Sequence, residues 1–416
     1  MPKNWRGRAD LAALLDAVEA ASPVHAVEVL AREVSRMLAA TGVRFLIADL
    51  SGDTLISFVS SPGDAARGVD EQERLVRVPL AGSQHERALT SQQVVVEHGD
   101  DGERLFAPVT DRGDAIGVLE LALPPGLEPA EVSEISGFVA SAARALAYVV
   151  IANRRHTDLF ERGQRNVPFS LAAEIQRRLL PDSFTCEAAE FTLAGWLEPS
   201  SDVGGDTFDY NLEAQALHLS ISDARGHTVA AAQLATLAVG ALRNSRRVHA
   251  SIVEQAQAAN LAITAHSSEE DFVSALLLRV DLATGVVTAV NAGHPTPFIA
   301  RDGDVSAVRF HADPPLGMLP ETQYRRQTLT LQPGDRLVLL TDGMLERRAA
   351  LLDVRSALRD STASHPREVV RAFAQALLGS TGGTLEDDAT VLCLDWYGPQ
   401  PALPRQRGRD RATSPA

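Results

Sequence analysis

Four short acidic segments, each placed where an apolar run ends, hold the side chains best suited to chemistry. They are VGGDTFD at 203–209, SISDARGH at 220–227, LLTDGMLE at 339–346 and EDDATVLCL at 386–394. An aspartate at the tip of a buried strand projects from rigid scaffold, and several converging tips give the all-oxygen ligand set that Mg2+ or Mn2+ prefers. Each segment alone also reads as a plain turn, because Asp-Gly commonly follows a strand. The ordered set is what points to metal. Gly204, Gly205, Gly226 and Gly343 would let backbone come close to ions or phosphate. Two divalent ions ~3.5–4 Å apart can activate water and neutralise a transferring phosphoryl group, so phosphoester hydrolysis at such a site requires no serine or cysteine nucleophile.

Rigid elements must position these tips, and the pattern changes character along the chain. From Leu11 to Leu38 apolar residues recur at helical spacing, predicting one or two amphipathic helices. Strand-like stretches follow at 43–50, 54–60, 75–80, 93–98, 104–109 and 115–123, separated by Gly, Asp and Ser turns. Ile135, Phe138, Val139, Ala142, Leu146 and Val149 form a stripe that predicts a long helix from Pro129 to about Arg165. That stripe can pair with a second copy as a coiled coil or pack on its own domain. SLAAEIQRRLLP predicts a further helix, with Leu171, Ile175 and Leu179 on one face and Pro181 ending it. From Phe191 onward hairpin strands alternate with helices at 227–247, 251–266 and near 366–378, which suggests a layered sandwich. The end of the chain from 398 to 416 is rich in Pro and Arg and reads as a disordered tail.

The segments EIQRRLLP, VGGDTFD, SDARGHTVAAA, NAGHPTPFI, PPLGM, GDRLVLLTDGMLE and EDDATV follow one another in an order that resembles the SpoIIE-type PPM protein phosphatases over about 170–396. The resemblance implies an α/β sandwich and metal-dependent hydrolysis of phosphoserine or phosphothreonine, with two divalent ions, Mn2+ or Mg2+. Carried over by motif, Asp206 and Asp223 would bridge the metals, Asp342 and Asp387 would complete the set, and the Ala224 carbonyl would be a further ligand. Asp388 is the alternative to Asp387. The implied substrate is a phosphorylated STAS-type anti-sigma factor antagonist. The chain departs from the family pattern at Ser222 and Thr228, which stand where glycines are common.

Residues 10–150 resemble a GAF-type sensor in element order, notably the closing hairpin GDAIGVLELAL after LFAPVTDR. The expected class is therefore α+β: a GAF-like domain at 10–150, a connecting helix at 129–168 overlapping its end, and a PPM-type domain at 169–397. Arg225, beside the expected metals, could hold phosphate in a bidentate fork. His227 reads as a general acid or as a helix-start residue, and His294 reads as a brace for its loop or as a residue acting on substrate. Asp209 reads as structural or as an orienter of metal-bound water. Glu346 reads as a support for the Asp342 loop or as a solvated residue.

Composition limits the alternatives. A net charge of −15 argues against nucleic acid and anionic membranes as partners, since both need a basic face. Two cysteines without CxxC spacing make neither a disulfide framework nor a zinc site and fit a reducing cytoplasm. No run of about 18 apolar residues lacks a charge, so no membrane span is expected. With no P-loop or GxGxxG, a nuclease or cyclase reading loses ground. A phosphatase fold kept only as a non-catalytic binding module is the remaining alternative, and the intact aspartate set speaks against it.

Overall fold

The structure is a computed structural model that describes residues 9–49, 52–57, 76–165, 170–199, 205–226, 228–266, 268, 270–344, 354–381, 385 and 387–399. The disordered tail expected at 398–416 lies outside these residues from 400 onward, as do His227 and Glu346. Two compact units divide the chain, Met1–Phe169 and Ser170–Ala416.

The first unit opens with helices α1 (Leu11–Glu19) and α2 (Ala26–Leu38), then strands β1 (Gly42–Ala48), β2 (Thr54–Ser57) and β3 (Arg77–Pro79). Helix α3 (Gln84–Ser91) follows, which the strand-only reading of this stretch missed, and Ser83 caps it by accepting from Glu86 N. Strands β4 (Val95–Gly99), β5 (Gly102–Asp111) and β6 (Asp114–Ala122) complete one antiparallel sheet in the order β3-β2-β1-β6-β5-β4. Helices α4 (Pro129–Asn153) and α5 (Leu159–Gln164) end the unit.

Two expectations are corrected in this unit. The long helix to Arg165 stops at Asn153, because apolar residues fail beyond Ile151 and the Asn153 amide turns back to the Val149 carbonyl. The chain then turns and buries Phe160 of α5 in the core. The stripe Ile135, Val139, Ala142, Leu146 and Val149 lies in that same core with α1, α2 and the inner sheet face, so it is not a free coiled-coil seam for a homodimer. Among the described residues α4 is the one helix long and apolar enough to cross a membrane, and half of its apolar window is buried inside the unit.

The second unit is a four-layer sandwich. It runs α6 (Leu171–Leu179), β7 (Thr185–Glu187), β8 (Phe191–Glu198), β9 (Thr207–Leu212), β10 (Ala216–Ala224), α7 (Thr228–Arg247) and α8 (Ile252–His266). Then come β11 (Val273–Asp281), β12 (Val286–Ala292), β13 (Phe298–Arg301), β14 (Asp304–Ala307), β15 (Gln327–Thr330), β16 (Arg336–Leu340), α9 (Val354–Asp360), α10 (Pro366–Thr381) and β17 (Ala389–Trp396). The strands form two antiparallel sheets, β15-β12-β11-β10-β9 and β14-β13-β16-β17-β8-β7.

Side-chain parity explains the layers. Along a strand successive side chains point to opposite faces. Phe208, Leu219, Ile221, Leu276 and Leu278 of the first sheet therefore meet Leu193, Leu337, Leu339, Leu392 and Leu394 of the second in one core. Residues of the other parity, such as Ala275 and Leu277, pack under α7 and α8, while Val338, Leu340 and Val391 pack under α9 and α10. Gly195 makes room for the Phe208 ring, since a Cβ there would stand 2.7 Å from it. The mid-sandwich position of Phe208 generates a prediction: Phe208→Ala should destabilise this unit by about 3–5 kcal/mol. Urea unfolding read from this unit would show it, and an unchanged midpoint would contradict the packing.

Candidate metal centre

Parity also decides where the acidic tips point. Asp206 precedes β9 and shares the parity of Phe208; Asp223 shares that of Leu219 and Ile221 in β10. Both therefore belong to the face that looks across to the second sheet. From that sheet Thr341, at the end of β16, and Thr390 of β17 each donate a hydroxyl to Asp206 Oδ2 at 2.7 Å. Thr341 Oγ1 accepts from Thr390 N at 2.9 Å, which ties the two donors together. Asp342 opens a short 3-10 turn, Asp342–Met344, and Asp387 and Asp388 lead into β17.

Two glycines make this convergence possible, in a different way from the sequence reading. A Cβ on Gly205 would collide with the Ala224 carbonyl, and one on Gly343 with the carbonyl of Asp388. Their lack of a side chain brings the strand ends together, protein against protein. Gly226, at φ 99°, borders open space, and Gly204 lies outside the described residues.

The electrostatics fit a cation site. Burial raises the Asp206 pKa well above the usual range, the Asp223 and Asp388 charges raise it further, and the two threonine bonds oppose them. Asp223 is raised to about 7, first by burial and then by the charges of Asp342, Asp387 and Asp388. Among the described residues no cationic side chain offsets either shift. Carboxylates that raise one another in this way are a poor arrangement alone and a good one around a divalent ion, whose charge inverts the balance. Among the described residues, no three carboxylate, imidazole or thiol side chains are already gathered at ligating distance. The aspartates stand close enough to repel one another without meeting at a point.

Asp387 and Asp388 are not equivalent. Asp388 is buried and keeps the inward parity of Thr390 and Leu392, whereas Asp387 is half-buried and accepts a bond from Asp388 N at 2.8 Å. Asp388 also acts on both Asp206 and Asp223. Gln176 of α6, absent from the sequence reading, completes this corner: its amide donates to the Asp206 carbonyl at 2.9 Å and to Asp388 Oδ2. Of the face expected at Leu171, Ile175 and Leu179, the last two are half-buried and pack against apolar neighbours. Leu171 is 66% exposed, and Ala172 with Gln176 forms the buried line. A polar residue four after a small apolar one was the available signal.

The remaining residues take other partners. Arg225 is exposed, donates to the Glu270 carbonyl and stacks over the Phe272 ring 5.6 Å away, so the structure does not turn it toward the aspartates. The Ala224 backbone is buried at the end of β10, its N–H bonded to the Gly205 carbonyl at 3.2 Å. Asp209 is structural: it faces α7 and binds Arg243 and Arg246 at 2.9 and 3.0 Å. His294 is buried against Ser274, and desolvation pushes its pKa down to about 3, consistent with a neutral brace. Of the two departures from glycine, Ser222 bonds Thr207 across the strands at 2.7 Å, while Thr228 takes φ 72°, a strained conformation for a β-branched residue.

A four-layer sandwich with aspartates at its strand ends is the arrangement expected of a PPM-type domain. Residues 213–397 match the family described as Stage II sporulation protein E (SpoIIE), and the second unit is a SpoIIE-type domain of that class. The match begins after Asp206. Among curated relatives, the phosphoserine phosphatase RsbP of Bacillus subtilis is 24% identical over 217 residues, 50% of this chain and 52% of RsbP. Protein IcfG of Synechocystis is 22% identical over 266 residues, 56% of this chain and 42% of IcfG. The chain thus spans about half the length of the curated relatives it matches first. A crystal structure of the RsbU and RsbW domains of Rv1364c from Mycobacterium tuberculosis is 24% identical over 51% of this chain and 61% of that one, with a TM-score of 0.46.

The raised Asp223 pKa predicts a pH dependence. An unfolded aspartate ionises near about 4, whereas folded Asp223 keeps its proton to about 7. Between those values the folded state binds more protons, so stability falls as pH rises, and the loss is complete above 7. Without divalent ions the melting temperature should fall from pH 5 to 7.5, and Asp223→Asn should flatten the fall. Equal slopes in both chains would contradict the assignment.

Proposed function

We propose that the second unit is a divalent-metal-dependent phosphatase acting on phosphoserine or phosphothreonine of a regulatory protein, and that the first unit is a GAF-like sensor controlling it. The observation that carries this reading is the set of inward-facing aspartates, Asp206, Asp223 and Asp388 with Asp342 and Asp387 beside them, whose charges no cationic side chain among the described residues offsets at Asp206 or Asp223. The relatives named phosphoserine phosphatase support the reaction class. The resemblance supports a STAS-type anti-sigma factor antagonist as substrate.

Asp206, Asp223, Asp342 and the Asp387–Asp388 pair would hold Mn2+ or Mg2+, with the Ala224 carbonyl as a further oxygen. Ions there would supply an activated water and neutralise charge on the phosphoryl group. The protein's own contribution is placement. Thr341 and Thr390 occupy Asp206 Oδ2 and fix the carboxylate, leaving Oδ1 to serve the centre. Gln176 fixes Asp388. Neither cysteine is a nucleophile, since both are buried and burial pushes the Cys393 thiol far up.

Asp206→Asn and Asp223→Asn should each lower Mn2+-dependent release of phosphate from a phosphorylated STAS protein by ~100-fold or more, because both charges bind the ions. Either variant keeping wild-type turnover at saturating Mn2+ would remove that residue from the centre, and equal efficiency on free phosphoserine would remove the protein substrate. Gln176→Ala should raise the Mn2+ needed for half-maximal rate by roughly tenfold, as loss of a bond to a ligand does. If residues 170–399 alone matched the full chain in rate and metal dependence, the sensor assignment would fail.

A further inference from the structure

A concavity of about 500 Å3 lies where the C-terminal ends of α6 and α7 meet the far half of β9, several residues along the strand from Asp206. Its lining is unusual for a chain of net charge −15, because four arginines contribute to it: Arg178 from α6 and Arg243, Arg246 and Arg247 from the last turns of α7. His249, just past the helix, stands at the same rim.

The floor is already organised. Asp209 is buried and takes both Arg243 and Arg246, and Arg243 also donates to the Leu179 carbonyl at 2.7 Å, so these two guanidiniums are fixed in place. Arg246 is only 12% exposed at its side chain, which lowers the screening around its charge. Arg178 is held on its own helix by Glu174 at 3.1 Å, and Arg247 at the mouth is exposed and forms no ion pair among the described residues. Asp182 and Glu213 also line the concavity, and Glu213 lies 3.6 Å from His218. Four arginines and three carboxylates line the concavity, and Glu174 offsets Arg178 from outside it, so the attraction rests on Arg247 and on Arg243 and Arg246, which share the single charge of Asp209. Arginines at a helix C-terminus commonly do no more than offset its dipole. Here they converge with an arginine of a second helix on a cavity, a geometry that suits a multiply charged oxyanion bound through guanidinium forks.

We propose that this groove is a second anion site, separate from the metal centre, that binds a phosphate oxyanion. The source is either inorganic phosphate or a phosphate ester, and the cavity has room for more than one phosphate group. The test uses the full chain with divalent ions removed by chelator, so that the aspartate cluster repels phosphate and only the groove can report. Calorimetric titration with inorganic phosphate and, separately, with adenosine diphosphate is compared between the wild type and the exposed-site variants Arg247→Glu and Arg178→Glu. The wild type should bind at least one of the two, more weakly as salt rises, and each variant should weaken binding by about tenfold or more, as expected for reversing one charge at contact distance. Tighter binding of the diphosphate identifies an ester as the source, and equal or tighter binding of inorganic phosphate identifies the free ion. No binding to the wild type, or binding unchanged in both variants, overturns the site. Because the readout is binding without metal, it stands or falls independently of the phosphatase reading.

Discussion

One carboxylate joins the two sheets of the C-terminal unit. Asp206 belongs to the β9 sheet, yet both hydroxyls that hold its Oδ2 come from β16 and β17 of the other. A buried carboxylate is costly unless hydrogen-bonded, and here the bonds that satisfy it can form only when the sheets are in register with each other. The same pairing draws Thr341 and Thr390 together and sets the Asp342 turn beside the Asp387–Asp388 approach to β17. The site is thus built from the way the sandwich closes, and loops contribute its close approaches through Gly205 and Gly343.

The hydrophobic core has to hold that arrangement against the aspartates themselves. Asp223 and Asp388 oppose the ionised form of Asp206, and Asp342, Asp387 and Asp388 oppose that of Asp223. The layer between the sheets, from Phe208 and Ile221 to Leu339 and Leu392, supplies the opposing attraction by removing apolar surface from water on both inner faces. A site that stores repulsion in this way is poised for ions that bind the folded form alone, since such binding adds directly to stability.

Much of this was legible from residue order. Most elements of the second unit, the four acidic segments and their placement at strand ends follow from alternation and turn chemistry, whereas the short α9, β7 and β14 did not stand out. The stretch HLSISD already carries the parity that puts Asp223 with Leu219 and Ile221, and the same count from Leu392 would have favoured Asp388 over Asp387 as the inward residue. What could not be read were partners distant in sequence. Gln176 reaches Asp388 across 212 positions, and Asp209 meets Arg243 across 34. The helix beyond Asn153 failed for a related reason: its polar continuation gives helical propensity no face to bury, and Phe160 finds the core only after a turn.

Asp206 and Asp209 show why charge partners separate a ligand from a strut. They sit three residues apart, both nearly fully buried, and an odd spacing sends them to opposite faces of the sheet. Asp209 looks out to α7, where two guanidiniums meet it at 2.9 and 3.0 Å. Asp206 looks inward, where hydroxyls orient it and neighbouring carboxylates oppose its charge. A negative charge that the fold neutralises is structural, whereas one that the fold orients and leaves unneutralised either takes up a proton or suits a cation from outside. By that criterion the inward aspartates suit a cation site and the outward one belongs to the scaffold.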